Sequence, residues 1–238
     1  AACGQCEMCR RNLRTHCLKR TVLGIVNHDG AMADCLSLPD ENLHAVPDAI
    51  DDEQAVFVEP LAAALEILEG AHIRPTERGV IIGDGKLAQL VAQVLALTGC
   101  DLAMVGRHAH KLALARRREI ETRAEDAAES LRGADFVVDC AGSAEGLALA
   151  QRLIRARGRI ILKSTFHGAQ VLELTPLVVA EVTLIGSRCG PFDAALRLLA
   201  RGVIDTASLV SEIFPLSAGA QAFAAASTKG VMKILVRP

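Results

Sequence analysis

Residues 80–95 constrain this chain more than any other part of it. Val80, Ile81 and Ile82 form a short apolar run that reads as a strand, and Gly83-Asp84-Gly85-Lys86-Leu87-Ala88 follows at once in the pattern G-x-G-x-x-A. Leu87, Leu90, Val91, Val94 and Leu95 then recur at the helical period, Gly99 stops the helix, and residues 102–106 return as a second apolar strand. A strand, a glycine turn, a helix and a partner strand make one βα unit, which belongs in a parallel sheet covered by helices. The spacing also assigns chemistry. Gly83 permits the tight turn, Gly85 lets a pyrophosphate approach the backbone, and Ala88 is small enough for helix–strand packing. The helix start at Lys86 and Leu87 offers unpaired N–H groups and the positive end of a dipole to phosphates.

More units of the same kind follow. Residues 136–142 read as a strand ending in a glycine turn, 146–156 as a helix, 158–165 as a strand and 182–189 as a last strand before an amphipathic helix. The chain has 238 residues, enough for one large or two ordinary domains. Apolar residues make up 51% and aromatic ones only 3%, so the core must be Ala, Leu, Val and Ile, the usual filling of a parallel sheet. The expected fold class is α/β, a Rossmann doubly wound parallel sheet. Its carboxyl ends, Cys140-Ala141-Gly142 and Lys163-Ser164-Thr165, should line the cofactor crevice. Cys140 also reads as simple core packing.

The second strand ends at Gly106-Arg107-His108, where an NAD site usually carries an acid for the ribose hydroxyls. Glycine there leaves room for a 2′-phosphate, Arg107 can hold it with a planar fork, and Lys111 one turn later can assist. A solvent-facing basic turn is the competing reading. NADP is expected ahead of NAD.

Four of the eight cysteines, Cys3, Cys6, Cys9 and Cys17, are spaced C-x2-C-x2-C-x7-C. Four thiolates can close a tetrahedral shell around zinc with no open position, which makes such a site structural. Disulfides would suit a secreted protein, an iron–sulfur site would bring its fourth cysteine sooner, and a nucleic-acid finger would need a basic helix longer than RRNLR. Zinc is expected over all three. The formal net charge of −2 gives nucleic-acid binding no electrostatic support, and no apolar run is long enough to span a bilayer. A cytoplasmic location with reduced cysteines is expected.

The cysteine spacing, the glycine fingerprint and the segment VEPLAAALE at 58–66 together resemble the zinc-containing medium-chain alcohol dehydrogenases, in their polyol, glucose and threonine dehydrogenase branch. The resemblance implies a structural-zinc lobe on a GroES-like catalytic domain beside the Rossmann domain. It divides the chain into a catalytic-domain part at 1–60 with its lobe at 1–20, a dinucleotide domain at 61–205, and a return to the catalytic domain at 206–238. It implies that Glu59 reaches a catalytic zinc, as a ligand or through metal-bound water. A carboxylate favoured by the helix dipole would look the same. It implies a cofactor-facing Arg188, for which a surface ion pair is the alternative, and an edge strand at 182–188 that pairs across a two-fold axis in a homodimer or homotetramer. His167 is kept as a possible substrate contact.

The activity implied is hydride transfer between NAD(P) and a small alcohol, polyol or sugar. The first catalytic-zinc cysteine and the Gly-His-Glu motif of the family are not found in these 238 residues, so the sequence is expected to be shortened at its N-terminus, with catalytic zinc held only if that part is present. The alternatives are a dinucleotide- and zinc-binding remnant without turnover, and a zinc-independent reductase, against which the four-cysteine lobe counts.

Overall fold

The computed structural model describes residues 1–165 and 172–238. The chain divides into two compact units, residues 1–47 with 210–238, and residues 48–209.

The first unit opens on the cysteine segment, where a single helical turn α1 (Glu7–Arg10) starts directly after Cys6. Residues 21–46 carry no strand; Val22 and Val26 make one isolated bridge, and a 3-10 turn spans Asp40–Asn42. Most of these residues are exposed, and a strand needs a partner edge for its amide groups.

The second unit starts with a helix entry built by local chemistry. In α2 (Asp52–Ala55) the Asp51 carboxylate accepts from the Gln54 amide at 2.7 Å and the Gln54 side chain accepts from the Asp51 amide at 3.2 Å, a reciprocal capping box. Helix α3 (Val58–Gly70) follows and buries Leu61, Ala62, Leu65 and Ile67. The sequence places 48–60 with the first unit, whereas these residues pack with the second. Phe57 is fully buried at the junction of α2 and α3.

Then come β1 (Arg78–Ile82), α4 (Lys86–Ala96), β2 (Asp101–Gly106), α5 (Ala109–Arg116), β3 (Glu121–Ala124), β4 (Ala134–Asp139), α6 (Ala144–Leu153), β5 (Ile154–Leu162), α7 (Leu174–Val179), β6 (Thr183–Gly186) and α8 (Phe192–Ala200). All neighbouring strands are parallel, in the order β3-β2-β1-β4-β5-β6. The order runs outward from β1 in one direction and from β4 in the other, so the topology switches between those two strands. Crevices for ligands open at such a point, outside the carboxyl ends of the strands. Val80, Ile82, Val105, Val137, Leu153 and Ile160 pack as one buried cluster. Each such side chain contributes about 1.5–3 kcal/mol by leaving water.

Strand β3 carries no apolar run and is half-exposed at the sheet edge, which hid it from the hydrophobic pattern. Strand β5 starts at Ile154, inside the expected helix; Arg157 sits at φ +58 and breaks the register with β4. The chain closes in the first unit with β7 (Val210–Pro215), α9 (Gly219–Ala226) and β8 (Lys233–Arg237), the two strands pairing in parallel. No helix among the described residues is long and apolar enough to cross a membrane.

Candidate functional site

The turn after β1 is held open from both sides of the switch point. The Gly83 amide donates to the Val105 carbonyl at 2.8 Å, and the Cys140 amide donates to the Ile82 carbonyl at 2.8 Å. Gly83 has φ +114, and a Cβ there would stand 2.9 Å from the Cys140 carbonyl oxygen, so the tight turn needs glycine. A Cβ on Gly85 would meet nothing within 4 Å; this open space lies at the N-terminus of α4, where a phosphate would approach. Lys86 and Leu87 begin that helix, Lys86 exposed and Leu87 half-buried.

A cavity of about 240 Å³ lies here, lined by Gly83, Asp84, Gly85, Gly106, Arg107 and His108 on one side and by Glu125, Cys140, Ala141 and Ser143 on the other. Six of these ten were legible as site residues. Asp84, His108, Glu125 and Ser143 were not. Asp84 is the most consequential of them. One oxygen of its buried carboxylate accepts from the amides of Arg107 and His108, at 2.8 and 2.7 Å, and the His108 ring approaches both oxygens at 3.1 Å. A Cβ on Gly106 would come 2.6 Å from the Asp84 Cβ. The space expected over Gly106 for a phosphate is therefore filled by Asp84, and glycine at 106 is needed for that packing. An acid in the middle of the glycine motif followed by a glycine at the end of the next strand is the signal that would have found it.

The Arg107 guanidinium reaches the cavity rim and pairs through Nε with Glu125 Oε1 at 2.7 Å. Lys111 is buried in α5 and does not line the cavity; its carbonyl accepts from Gln89 of α4 at 3.0 Å, so this turn of α5 faces the sheet-covering helices.

The carboxyl ends of β4, β5 and β6 are tied together. The Asp139 carboxylate accepts from the Ala141 amide at 2.9 Å, and its backbone carbonyl accepts from the amides of Lys163 and Ser164. Burial pushes the Asp139 carboxyl above the usual carboxylate range, with the Ala141 amide working against it. The Gly142 amide donates to Ser164 Oγ at 2.9 Å, bringing two of the expected crevice residues into contact. Lys163 is buried and its Nζ donates to Ser187 Oγ at 3.0 Å. Burial lowers its ammonium below the usual lysine range, and the nearby Cys140, Glu66, Cys189 and Glu59 act in the other direction. Burial likewise pushes the Cys140 thiol up. Glu59 is exposed in the first turn of α3, close enough to affect Lys163. Arg188 is exposed just past β6, its Nη1 3.4 Å from Cys189 Sγ. His167 lies outside the described residues.

In the first unit, the ligand atoms of Cys3, Cys6, Cys9 and Cys17 all lie within 4.8 Å of one another. The sulfurs of Cys6 and Cys9 are 3.5 Å apart and those of Cys6 and Cys17 are 3.8 Å apart. Zn–S bonds of about 2.3 Å in a tetrahedron require sulfurs roughly 3.8 Å apart, so the donor set fits zinc. The amides of Cys3 and Lys19 point at Cys17 Sγ at 3.3 and 3.4 Å, as thiolates at a metal need. Hydrogen bonds from the backbone at Cys9 and Leu18 pull the Cys6 thiol down to about 6, while desolvation pushes Cys9 up to about 11.

With this geometry in view, the comparisons with known proteins are specific. Residues 87–201 match the family model described as zinc-binding dehydrogenase. D-arabitol-phosphate dehydrogenase of Enterococcus avium is 28% identical over 98% of this chain and 71% of its own length. L-galactonate-5-dehydrogenase of Escherichia coli K12 is 28% identical over 93% of this chain and 68% of its own. A zinc-binding dehydrogenase of Sinorhizobium meliloti 1021, solved bound to NADP, superposes with a TM-score of 0.90 at 25% identity, covering 100% of this chain and 74% of that one. The chain is similar along nearly its whole length to zinc-binding dehydrogenases. Galactitol-1-phosphate dehydrogenase of Escherichia coli shares the fold at a TM-score of 0.89 and 22% identity, covering 100% of this chain and 75% of its own. The match to the zinc-binding dehydrogenase model spans most of the helices and strands that build the cavity.

Proposed function

We propose that this chain serves an NAD(P)-linked dehydrogenase reaction on a small alcohol, polyol or sugar, with NADP preferred. The observation that carries this is the cavity at the β1/β4 switch point with Arg107 on its rim. The glycine turn and the start of α4 take the pyrophosphate, and Arg107 takes the 2′-phosphate through the guanidinium nitrogens left by Glu125. Cys140, Ala141, Gly142 and Ser164 shape the crevice towards the nicotinamide. The names of the relatives, a polyol-phosphate dehydrogenase and a sugar-acid dehydrogenase among them, support the substrate class. Glu59 is proposed as the carboxylate that meets a catalytic zinc or its bound water; such a zinc, when bound, polarises the substrate oxygen. The Cys3, Cys6, Cys9 and Cys17 set is proposed as a closed structural zinc site, and the free edge at β6 as the contact of a homodimer or of a tetramer built from it.

Calorimetric titration with NADPH and NADH tests the cofactor reading. Arg107→Ala should lose roughly 1.5–3 kcal/mol with NADPH, the contribution of a charge-assisted phosphate contact, and far less with NADH. Equal losses with both would reject Arg107 as the 2′-phosphate ligand.

A second reading is binding without turnover. It is favoured by one observation: among the described residues, the four-cysteine lobe is the only group of three or more metal-ligating side chains close enough to hold an ion.

A further inference from the structure

The geometry of the cavity points to Glu125 as a specificity-determining residue: we propose that its carboxylate opposes a phosphate at Arg107 and so holds down the preference of this site for NADP over NAD. The inference rests on the reading of the cavity as the adenosine end of a dinucleotide site.

Glu125 begins the 3-10 turn Glu125–Leu131, directly after β3. Strand β3 is the outer neighbour of β2, so Glu125 reaches the end of β2 from the side, where an acid on β2 itself would stand in an NAD site. Nothing in the β2 sequence announces it. Two carboxylates line the cavity near Arg107, and they differ in what they can do. Asp84 is buried and its oxygens are engaged by two backbone amides and the His108 ring, so it shapes the loop. Glu125 remains 38% exposed on the rim, and its carboxylate pairs with the Arg107 Nε.

Arg107 is thereby shared. Its Nε is committed to Glu125, while its terminal nitrogens have no hydrogen-bond partner among the described residues. A 2′-phosphate can bind those nitrogens, but it then also lies beside the Glu125 charge. A ribose 2′-hydroxyl carries no charge to be repelled, and a carboxylate can accept its hydrogen bond. The same side chain therefore penalises one cofactor and not the other.

Glu125→Gln keeps the shape and an oxygen to accept from Arg107 Nε and removes only the charge. Unit charges a few ångströms apart at a partly exposed site interact by an amount that corresponds to about threefold to tenfold in affinity. The experiment titrates NADPH and NADH into the zinc-loaded 238-residue protein and its Glu125→Gln variant, at low salt and again at high salt. The expected result is NADPH binding tightened about threefold to tenfold, NADH binding unchanged within a factor of about two, and a smaller NADPH effect at high salt as screening grows. Wild-type protein that binds both cofactors, with a ratio the variant leaves unchanged, overturns the role of Glu125 alone. A variant that tightens or weakens both cofactors equally does the same. Wild-type protein that binds neither cofactor overturns the reading of the cavity and the proposal with it.

Discussion

Glu77 and Arg159 meet 2.7 Å apart at the amino end of the sheet, with the Glu77 side chain only 6% exposed. Burial by itself would raise the Glu77 carboxyl; the Arg74 amide and the Arg159 guanidinium outweigh it and hold the carboxyl below the usual range. A carboxyl lowered on folding contributes stability fully above its unfolded value of about 4.3, and the contribution is lost as pH falls through the lower folded value. Glu77→Gln should therefore destabilise the protein at pH 7 by about 1–3 kcal/mol, with the gap to wild type closing towards pH 3. Calorimetric melting across that range is the check, and a gap that persists at pH 3 would refute it. This pair was invisible beforehand because its partners lie far apart in sequence, and the same holds at the cofactor cavity. Arg107 could be named because it follows the glycine fingerprint at the spacing of a βα unit. Asp84 and Glu125 could not, since their roles depend on which strands become neighbours, and Gly106 was assigned to ligand space that a side chain from the preceding turn fills.

At the scale of elements, the cysteine lobe was the most legible part, because all four donors are local and their spacing is the signal. Purified protein should contain zinc that is lost when Cys9 and Cys17 are changed to Ser; metal content unchanged in that variant would end the assignment. The buried strands were legible for a similar reason, as continuous apolar runs in a sheet covered on both faces. Polar, half-exposed β3 and the strand β7 were missed. Strand β6 is the outer strand beyond β5, and Leu184 is 40% exposed on it. The preceding helix α7 also exposes Leu174, Val178 and Val179. An uncovered apolar edge invites pairing, and a two-fold copy would satisfy it. Light scattering at micromolar concentration should report a dimer or a multiple of it, and a clean monomer would reject that contact.

For the whole molecule, the prediction concerns turnover. A catalytic zinc needs about three protein ligands and an open position. Glu59 is the ligand proposed above for that role, and the four cysteines are proposed as a separate, closed set. On the second reading, binding without turnover, the 238-residue polypeptide by itself should bind dinucleotide yet reduce no NADP on a panel of alcohols, polyols and sugars; zinc-dependent NADPH production would overturn that reading in favour of the first. Its two units also differ in continuity. The sheet unit is one unbroken stretch, 48–209, whereas the other joins 1–47 to 210–238. The consequence is one of timing during synthesis. At about 5–20 residues per second, residues 1–47 emerge on the order of ten seconds before the segment they share a unit with. All six strands of the large sheet are made in that interval. The cysteine lobe is exempt from the wait, since Cys3 through Cys17 are translated together and can close on a metal ion while the rest of their unit is still unmade.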